Sequence, residues 1–200
     1  MRSEHATWLV GSIAALLLAG CQAAHVSEPV TVKLGGADDD AQMEFWHTLA
    51  EQPVTCNDDA FHGLLIYLDG QDTAKDYSER VAALRKRQLL PTGFDEPATQ
   101  AARRGTLAVA IVKSLHVSGG WAMHVFGPTE RYATRELQYL DLYPPSTEFQ
   151  TFSGAEFVGV MGKFDDAQRD KVASENAPGR TLKDQSDVLR PADRQPTETK

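Results

Sequence analysis

The histidines of this chain do not follow a spacing that supports metal binding or catalysis. His47, His62, His116 and His124 lie in the region with the strongest helical periodicity. No pair of them has the H-x3-H or H-E-x-x-H spacing that places two imidazoles on one face of a helix. We therefore predict surface or core histidines, and neither a metal site nor a cofactor.

Hydroxyl and carboxyl groups also lack catalytic spacing. Ser118-Gly119-Gly120 and Ser153-Gly154 lack the G-x-S-x-G turn that exposes a nucleophilic serine. The acidic pairs Asp58-Asp59, Asp95-Glu96 and Asp165-Asp166 are adjacent in sequence, so their side chains diverge instead of facing each other across a substrate. The sequence therefore predicts no catalytic residue.

A basic cluster offers binding chemistry instead. It contains Arg85, Arg87, Arg103 and Arg104, and guanidinium groups bind carboxylates through paired hydrogen bonds. Trp121 would add a face on which a sugar ring can stack. One interpretation is a site for an anionic polymer, such as teichoic-like chains or the carboxylates of peptidoglycan. The other is a solvated helix face with local ion pairs, with Trp121 in the core.

The N-terminus carries a short apolar run. Residues 7–20 follow Arg2 and are too few to span a bilayer, which needs about 20 apolar residues. The run fits the apolar part of a signal peptide and ends in Leu18-Ala19-Gly20-Cys21. This end resembles the lipobox of bacterial lipoproteins. The resemblance implies that Cys21 accepts a diacylglyceryl group and that the leader is cut between Gly20 and Cys21.

The same resemblance bears on location and on the second cysteine. In well-studied lipoproteins an Asp after the lipidated Cys retains the protein at the inner membrane. Gln22 stands there in this chain, so the resemblance implies an outer-membrane protein facing the periplasm, where the host has that membrane. With Cys21 lipidated, Cys56 has no partner within the chain. We predict a small buried residue, and an intermolecular disulfide is the alternative.

Composition and charge divide the chain into four segments. The net charge of the 200 residues is −8, which argues against nucleic acid as a partner. Residues 1–20 are the signal peptide, and residues 21–42, with Asp38-Asp39-Asp40, are predicted to form a flexible tether. Residues 43–164 form the predicted folded domain. Residues 165–200 are charged and predicted to be largely disordered.

Helical periodicity dominates residues 43–164 and predicts a small all-α domain of about six helices. The segment 121–126 fits either a helix or a strand. Ser153 and Glu156 have the spacing of a capping box at the start of the last helix. The predicted helices start near Met43, Asn57, Ser78, Thr106, Glu130 and Ser153.

Two helix–loop–helix segments repeat at an offset of about 50 residues. This pattern resembles the S-layer homology repeat: Phe94-Asp95-Glu96-Pro97 stands where that family has Phe-x-Pro. Arg103-Arg104-Gly105-Thr106 and Ser153-Gly154-Ala155-Glu156 stand where it has Thr-Arg-x-Glu. The first copy lacks the Glu, the second lacks the Arg, and both lack the usual Gly step after the first helix. The resemblance implies repeat-like helical packing and contact with cell-wall polysaccharide or peptidoglycan.

Two functions remain open at this point. The first is a non-catalytic, lipid-anchored envelope protein that contacts the cell wall or another envelope protein. The second is a periplasmic hydrolase whose residues come together only in space. A deep polar cleft around His116 and His124 would favour the hydrolase, and a shallow groove lined by Arg and aromatic residues would favour binding.

Overall fold

The computed structural model describes residues 23–36 and 38–176. The predicted signal peptide and Cys21 lie outside the described residues, so the signal peptide, its cleavage and the lipidation stay predictions. The disorder predicted for the last part of the chain, residues 177–200, lies outside them as well.

The described part of the chain is built of eight helices and contains no β-strand, which confirms the predicted all-α fold. The segment 121–126 is a helix. No helix of this part combines the length and the apolar character needed to cross a bilayer. The helices are α1 (Thr31–Leu34), α2 (Asp39–Ala50), α3 (Asn57–Asp69), α4 (Tyr77–Lys86), α5 (Arg104–Ser114), α6 (Trp121–Phe126), α7 (Glu130–Tyr139) and α8 (Gly154–Asn176).

Local side-chain caps fix several helix starts. The predicted capping box opens α8: Ser153 N–H donates to Glu156 Oε2 at 3.0 Å, and Glu156 N–H donates to Ser153 Oγ at 3.3 Å. Asp76 caps α4, two residues before the predicted Ser78, by accepting from Glu79 N–H at 2.9 Å. Each cap satisfies an amide that has no partner within its own helix.

The predicted flexible tether over residues 21–42 is wrong for its described residues. Val26 N–H donates to Thr99 O at 2.9 Å, and Ala101 N–H donates to Ala24 O at 2.8 Å. Helix α1 follows, and α2 already begins at Asp39. The acidic run Asp38-Asp39-Asp40 begins α2. Asp38 accepts from Ala41 N–H at 2.9 Å, and the negative charges of Asp39 and Asp40 interact favourably with the positive end of the helix dipole.

The folded part of the chain also extends further toward the C-terminus than predicted. Helix α8 continues to Asn176, twelve residues past the predicted domain end at 164. Ala167 is buried on this extension, so apolar packing continues into the segment predicted to be disordered.

The described part of the chain contains three helix–loop–helix pairs, and the second and third of them include the two segments predicted to repeat. The pairs α2–α3, α4–α5 and α7–α8 each place a loop between two helices, and the loops dock on one another at the centre. Ala102 N–H donates to Thr55 O at 2.9 Å, and Thr55 N–H donates to Phe152 O at 3.0 Å. In each pair, the first backbone amides of the second helix donate to carbonyl oxygens in the loop of a neighbouring pair. Asn57 N–H, for example, donates to Gln100 O at 2.8 Å.

The core lies between these pairs. Helix α5 is buried on almost every side, from Arg104 to Val112, which suits its position at the centre. The start of α8 contacts the end of α2 so closely that a Cβ on Gly154 would meet Leu49 O at 1.6 Å. Large side chains with almost no exposure surround α5 and α8: Phe45, Phe61, Leu64, Leu137, Tyr143, Phe152, Phe157 and Phe164.

A buried ionic cluster, formed by Thr31, Asp58, Asp59, His62, Asp72 and Arg80, joins α1, α3 and α4. Arg80 pairs with Asp58 Oδ1 at 2.6 Å and with Asp72 Oδ2 at 2.5 Å. Thr31 donates from its hydroxyl to Asp58 Oδ2 at 2.7 Å and from its amide to Asp59 Oδ1 at 2.9 Å. The cluster therefore ties the N-terminal segment to the first two helix pairs.

The charges in this cluster are mutually stabilised. Burial alone would raise the pKa of Asp72, but hydrogen bonds from His62 and Arg80 outweigh it, and the pKa of Asp72 lies below its usual value. Burial would lower the pKa of Arg80, and its contacts with Asp72 and Asp58 raise it overall. Both groups are thus charged in the folded protein. Such a pair is stable only while both partners are present.

Candidate binding groove

A surface groove of about 520 Å³ opens between α5, the segment that joins α6 to α7, and the loop before α8. We call it the aromatic groove. It combines aromatic rings with charges of both signs, a composition typical of ligand sites. Its side chains of chemical interest are Lys113, Phe126, Glu130, Arg131, Glu148 and Phe149.

The aromatic rings of the groove are unusually exposed. Phe126 is 59% exposed and Phe149 is 66% exposed, although a solvated Phe carries an unfavourable free energy of hydration. The Phe126 ring stacks on Tyr132 with centroids 5.8 Å apart and planes 19° apart. Trp121 meets Phe126 edge to face at 6.5 Å. The rings therefore form a continuous aromatic face that leads into the groove.

Local backbone chemistry holds this aromatic face outward. Helix α6 has only six residues and lies between Gly119-Gly120 and Gly127-Pro128. Gly119 and Gly127 have φ of 64° and 76°, values that glycine adopts without strain. Met123 alone is buried from this helix, so its other apolar side chains have no core to enter.

Gly105 lies beside two acidic residues that line the groove, Glu130 and Glu148. Gly105 N–H donates to Glu148 O at 2.9 Å, and a Cβ at this position would meet the Cβ atoms of Glu130 and Glu148 at 2.7 and 3.0 Å. Thr106 donates from its hydroxyl to Glu130 Oε1 at 3.0 Å. The missing side chain thus lets two carboxylate residues approach the start of α5 from different elements.

The groove also presents two cations of different character. Lys113 donates to the carbonyl of Gln88, and burial lowers the pKa of its ammonium group. Arg131 is exposed, and within the described part of the chain it makes no hydrogen bond or ion pair. Its guanidinium therefore remains available for a carboxylate or phosphate of a ligand.

The four arginines predicted to bind a polymer each bond within the chain. Arg85 donates to the carbonyl of Phe94, and Arg103 pairs with Glu96. Arg87 pairs with Asp69 at 2.6 Å on an exposed surface. These three bonds match the local pairing that the sequence left open as the other interpretation.

Arg104 differs from the other arginines because it is buried. It donates to Thr151 O at 3.0 Å and to Glu156 at 2.8 Å, and its guanidinium lies 4.9 Å from the Phe152 ring centroid. In this conformation it has no surface to offer a polymer. Trp121 is 76% exposed, so the alternative that placed it in the core is wrong.

The groove residues were not identified from the sequence. Phe126 and Phe149 lie far apart in the chain and follow no periodic pattern. The one local signal is Gly127-Pro128, which breaks α6 immediately after an aromatic residue. A search for aromatic residues beside such breaks would have found Phe126, but not Phe149.

The remaining reactive side chains do not form a second site. His116 lies 3.0 Å from Ser114 O through Nδ1, and His124 is exposed on α6. Cys56 is a free buried thiol, as predicted, and donates to Asp59 at 3.2 Å. Burial raises the pKa of this thiol well above its usual value, which suppresses its reactivity. In the described residues no group of His, Cys, Asp and Glu could hold a metal ion.

No protein-family model, no curated protein and no solved structure matches the chain. Its function is therefore argued from the aromatic groove and from the sequence.

Proposed function

We propose that this chain is a lipid-anchored, non-catalytic module of the cell envelope that binds cell-wall polymer through its aromatic groove. The observation that carries the proposal is the pair of exposed rings, Phe126 and Phe149, in one groove with the unpaired Arg131. Exposed apolar patches of this kind mark binding surfaces.

The chemistry of the groove suits peptidoglycan. Aromatic rings present flat apolar faces on which the C–H faces of sugar rings can stack. The guanidinium of Arg131 matches a carboxylate of the peptide stems. The shallow groove with aromatic residues and an arginine is the arrangement that favours binding over hydrolysis.

The anchor is the second part of the proposal and rests on the lipobox at Cys21. Acyl chains on Cys21 would hold the protein at the membrane, since more than one chain gives stable attachment. Incorporation of radiolabelled palmitate, lost in Cys21→Ser, is the expected result. A mature chain that starts at another residue and carries no acyl group would overturn this part.

Co-sedimentation with purified peptidoglycan tests the binding. A soluble Cys21→Ser chain starting at residue 21 should sediment with sacculi, and the double variant Phe126→Ala, Phe149→Ala should bind at least about tenfold more weakly, since each ring contributes on the order of 1 kcal/mol. Tyr139→Ala is the matched control, because Tyr139 is an aromatic residue of similar exposure, 57%, that does not line the groove.

Two outcomes would contradict the proposal. No retention of the parent chain on sacculi at low salt would remove cell-wall polymer as the ligand and leave an envelope protein as the partner. Equal retention of the parent and the double variant would show that the groove is not the binding surface.

A hydrolase remains the second candidate, because Glu130 and Glu148 both line the groove and their Cβ atoms both lie beside Gly105. Two carboxylates beside a sugar are the groups that glycoside hydrolases use. Release of soluble fragments from sacculi by the parent chain, and its loss in Glu148→Gln, would establish hydrolysis. Binding without release would leave the non-catalytic proposal.

A further inference from the structure

The N-terminal segment joins the folded body almost directly after Cys21. Ala24 O accepts from Ala101 N–H at 2.8 Å, and Val26 N–H donates to Thr99 O at 2.9 Å. His25 pairs with Gln100 in an antiparallel bridge. We call the surface formed by residues 24–26 and 99–101 the N-terminal edge.

The segment stays fixed beyond this edge. Pro29 and Val30 are buried, and Thr31 donates from its amide to Asp59 and from its hydroxyl to Asp58, two carboxylates of the buried ionic cluster. Asp58 is in turn held by Arg80 at 2.6 Å. Pulling the N-terminus away from the body would therefore break interactions with buried charged groups.

Covalent geometry then limits the distance between lipid and protein. Only Gln22 and Ala23 lie between Cys21 and Ala24. The three steps along the chain from Cys21 to Ala24 span at most about 3.6 Å each when fully extended, which gives a reach of about 11 Å. The headgroup layer of one leaflet is about 5–8 Å thick. A body of this size has a radius of gyration of about 15 Å, so the linker is shorter than the body itself.

We propose that the N-terminal edge is a membrane-facing surface, held against the lipid headgroups in one orientation by this short linker. The inference rests on the proposed lipidation of Cys21. Covalent reach, and not charge, brings the edge to the bilayer, in keeping with the acidic composition of the chain. The ligand of the aromatic groove must then come within the width of the body, about 40 Å, of the membrane.

Fluorescence quenching in vesicles tests the orientation. Lipidated protein carrying Ser27→Cys is labelled at the new thiol, since Ser27 is exposed while Cys56 is buried. The vesicles contain phosphatidylethanolamine, phosphatidylglycerol and a lipid with a spin label on its headgroup. A matched variant carries twelve Gly and Ser residues inserted between Gln22 and Ala23, which adds a mean span of about 20 Å.

The label at residue 27 should be quenched several-fold more strongly in the protein with the natural linker than in the insertion variant. Equal quenching in two proteins that both float with the vesicles would overturn the membrane-facing edge and leave the lipid anchor intact. Failure of the natural protein to float would overturn the anchor itself and, with it, this inference.

Discussion

The buried ionic cluster and the aromatic groove distribute side chains in opposite ways. The cluster places Asp58, Asp72 and Arg80 in the interior, where their side chains are less than one tenth exposed. The groove leaves Phe126 and Phe149 mostly in water. Removing one partner from the interior cluster is expected to destabilise the fold, whereas the exposed rings contribute little to it. The difference separates a structural cluster from the proposed binding surface.

Removal of Arg80 should have the largest effect of any change considered. Arg80→Met keeps the length of the side chain but leaves Asp58 and Asp72 buried without their cation. We expect the free energy of unfolding to fall by about 3–5 kcal/mol, measured by chemical denaturation of the soluble Cys21→Ser chain.

Arg87→Met is the matched control for this change. Arg87 also pairs with an aspartate, Asp69, but both side chains are more than one third exposed. Such pairs contribute about 0–1 kcal/mol, so little change is expected. A similar loss in both variants would contradict the structural role of the cluster.

Substitution of Gly105, which lies beside Glu130 and Glu148 of the groove, should have the next largest effect on stability. In Gly105→Ala the new Cβ would lie 2.7 Å from Glu130 Cβ and 3.1 Å from Glu148 O, so two elements must shift. We expect a loss of about 1–3 kcal/mol in the free energy of unfolding and weaker binding to sacculi, because the groove widens.

Gly159→Ala tests whether close contact is the cause. Gly159 also lies in a helix, α8, but nothing lies within 4 Å of a Cβ built there. Alanine should therefore stabilise the chain by up to about 1 kcal/mol through helix propensity. Destabilisation by both substitutions to a similar extent would argue against the close contact at Gly105.

The sequence predicted most of the helices, but it predicted neither the buried ionic cluster nor the aromatic groove. The capping box of Ser153 and Glu156 and the apolar stripe of α3 are local patterns, so their helices were predicted. Helix α1 has four residues, too few to show periodicity. The first pair, α2–α3, was not part of the predicted repeat, and its loop, residues 51–56, is shorter than the loops at 87–103 and 140–153.

Contacts between distant residues explain the other omissions. Thr31 meets Asp58 across 27 residues, and Arg80 meets Asp58 across 22. No local spacing rule relates these positions, and the sequence showed Asp58 only as one member of an adjacent acidic pair. The groove likewise joins Phe126 and Phe149 from different elements. Folding brings both sets together, so only the three-dimensional arrangement reveals them.

Acid should weaken the buried ionic cluster. The pKa of Asp72 is lower in the folded chain than its usual value near 3.9, so its stabilisation is complete above that value and is lost as the pH falls through the lower, folded pKa. The pKa of Glu156 is lowered by the Ser153 amide and by Arg104, so this carboxylate also contributes stability that is lost as the pH falls into the acidic range.

The free energy of unfolding between about pH 3 and pH 7 measures this effect. Asp72→Asn should be less stable at neutral pH and should lose less stability below about pH 4 than the parent, because it lacks the titrating carboxylate. An unchanged dependence on pH would mean that Asp72 does not gain its stabilisation from His62 and Arg80.

Removal of the exposed rings should have the smallest effect on stability and so gives the sharpest contrast. Phe126→Ala with Phe149→Ala deletes two large side chains, a change that costs about 3–5 kcal/mol for each Phe in a core. Here both rings are more than half exposed, so we expect the free energy of unfolding to change by less than about 1 kcal/mol.

Phe157→Ala is the buried counterpart, since that ring has no exposure. It should show the full core penalty in the same denaturation measurement, while the exposed pair should not. Marked destabilisation by the exposed pair would show that these rings hold α6 and the loop before α8 in place. Their exposure would then belong to the fold, and the loss of sacculus binding in the double variant would no longer identify the groove as the binding surface.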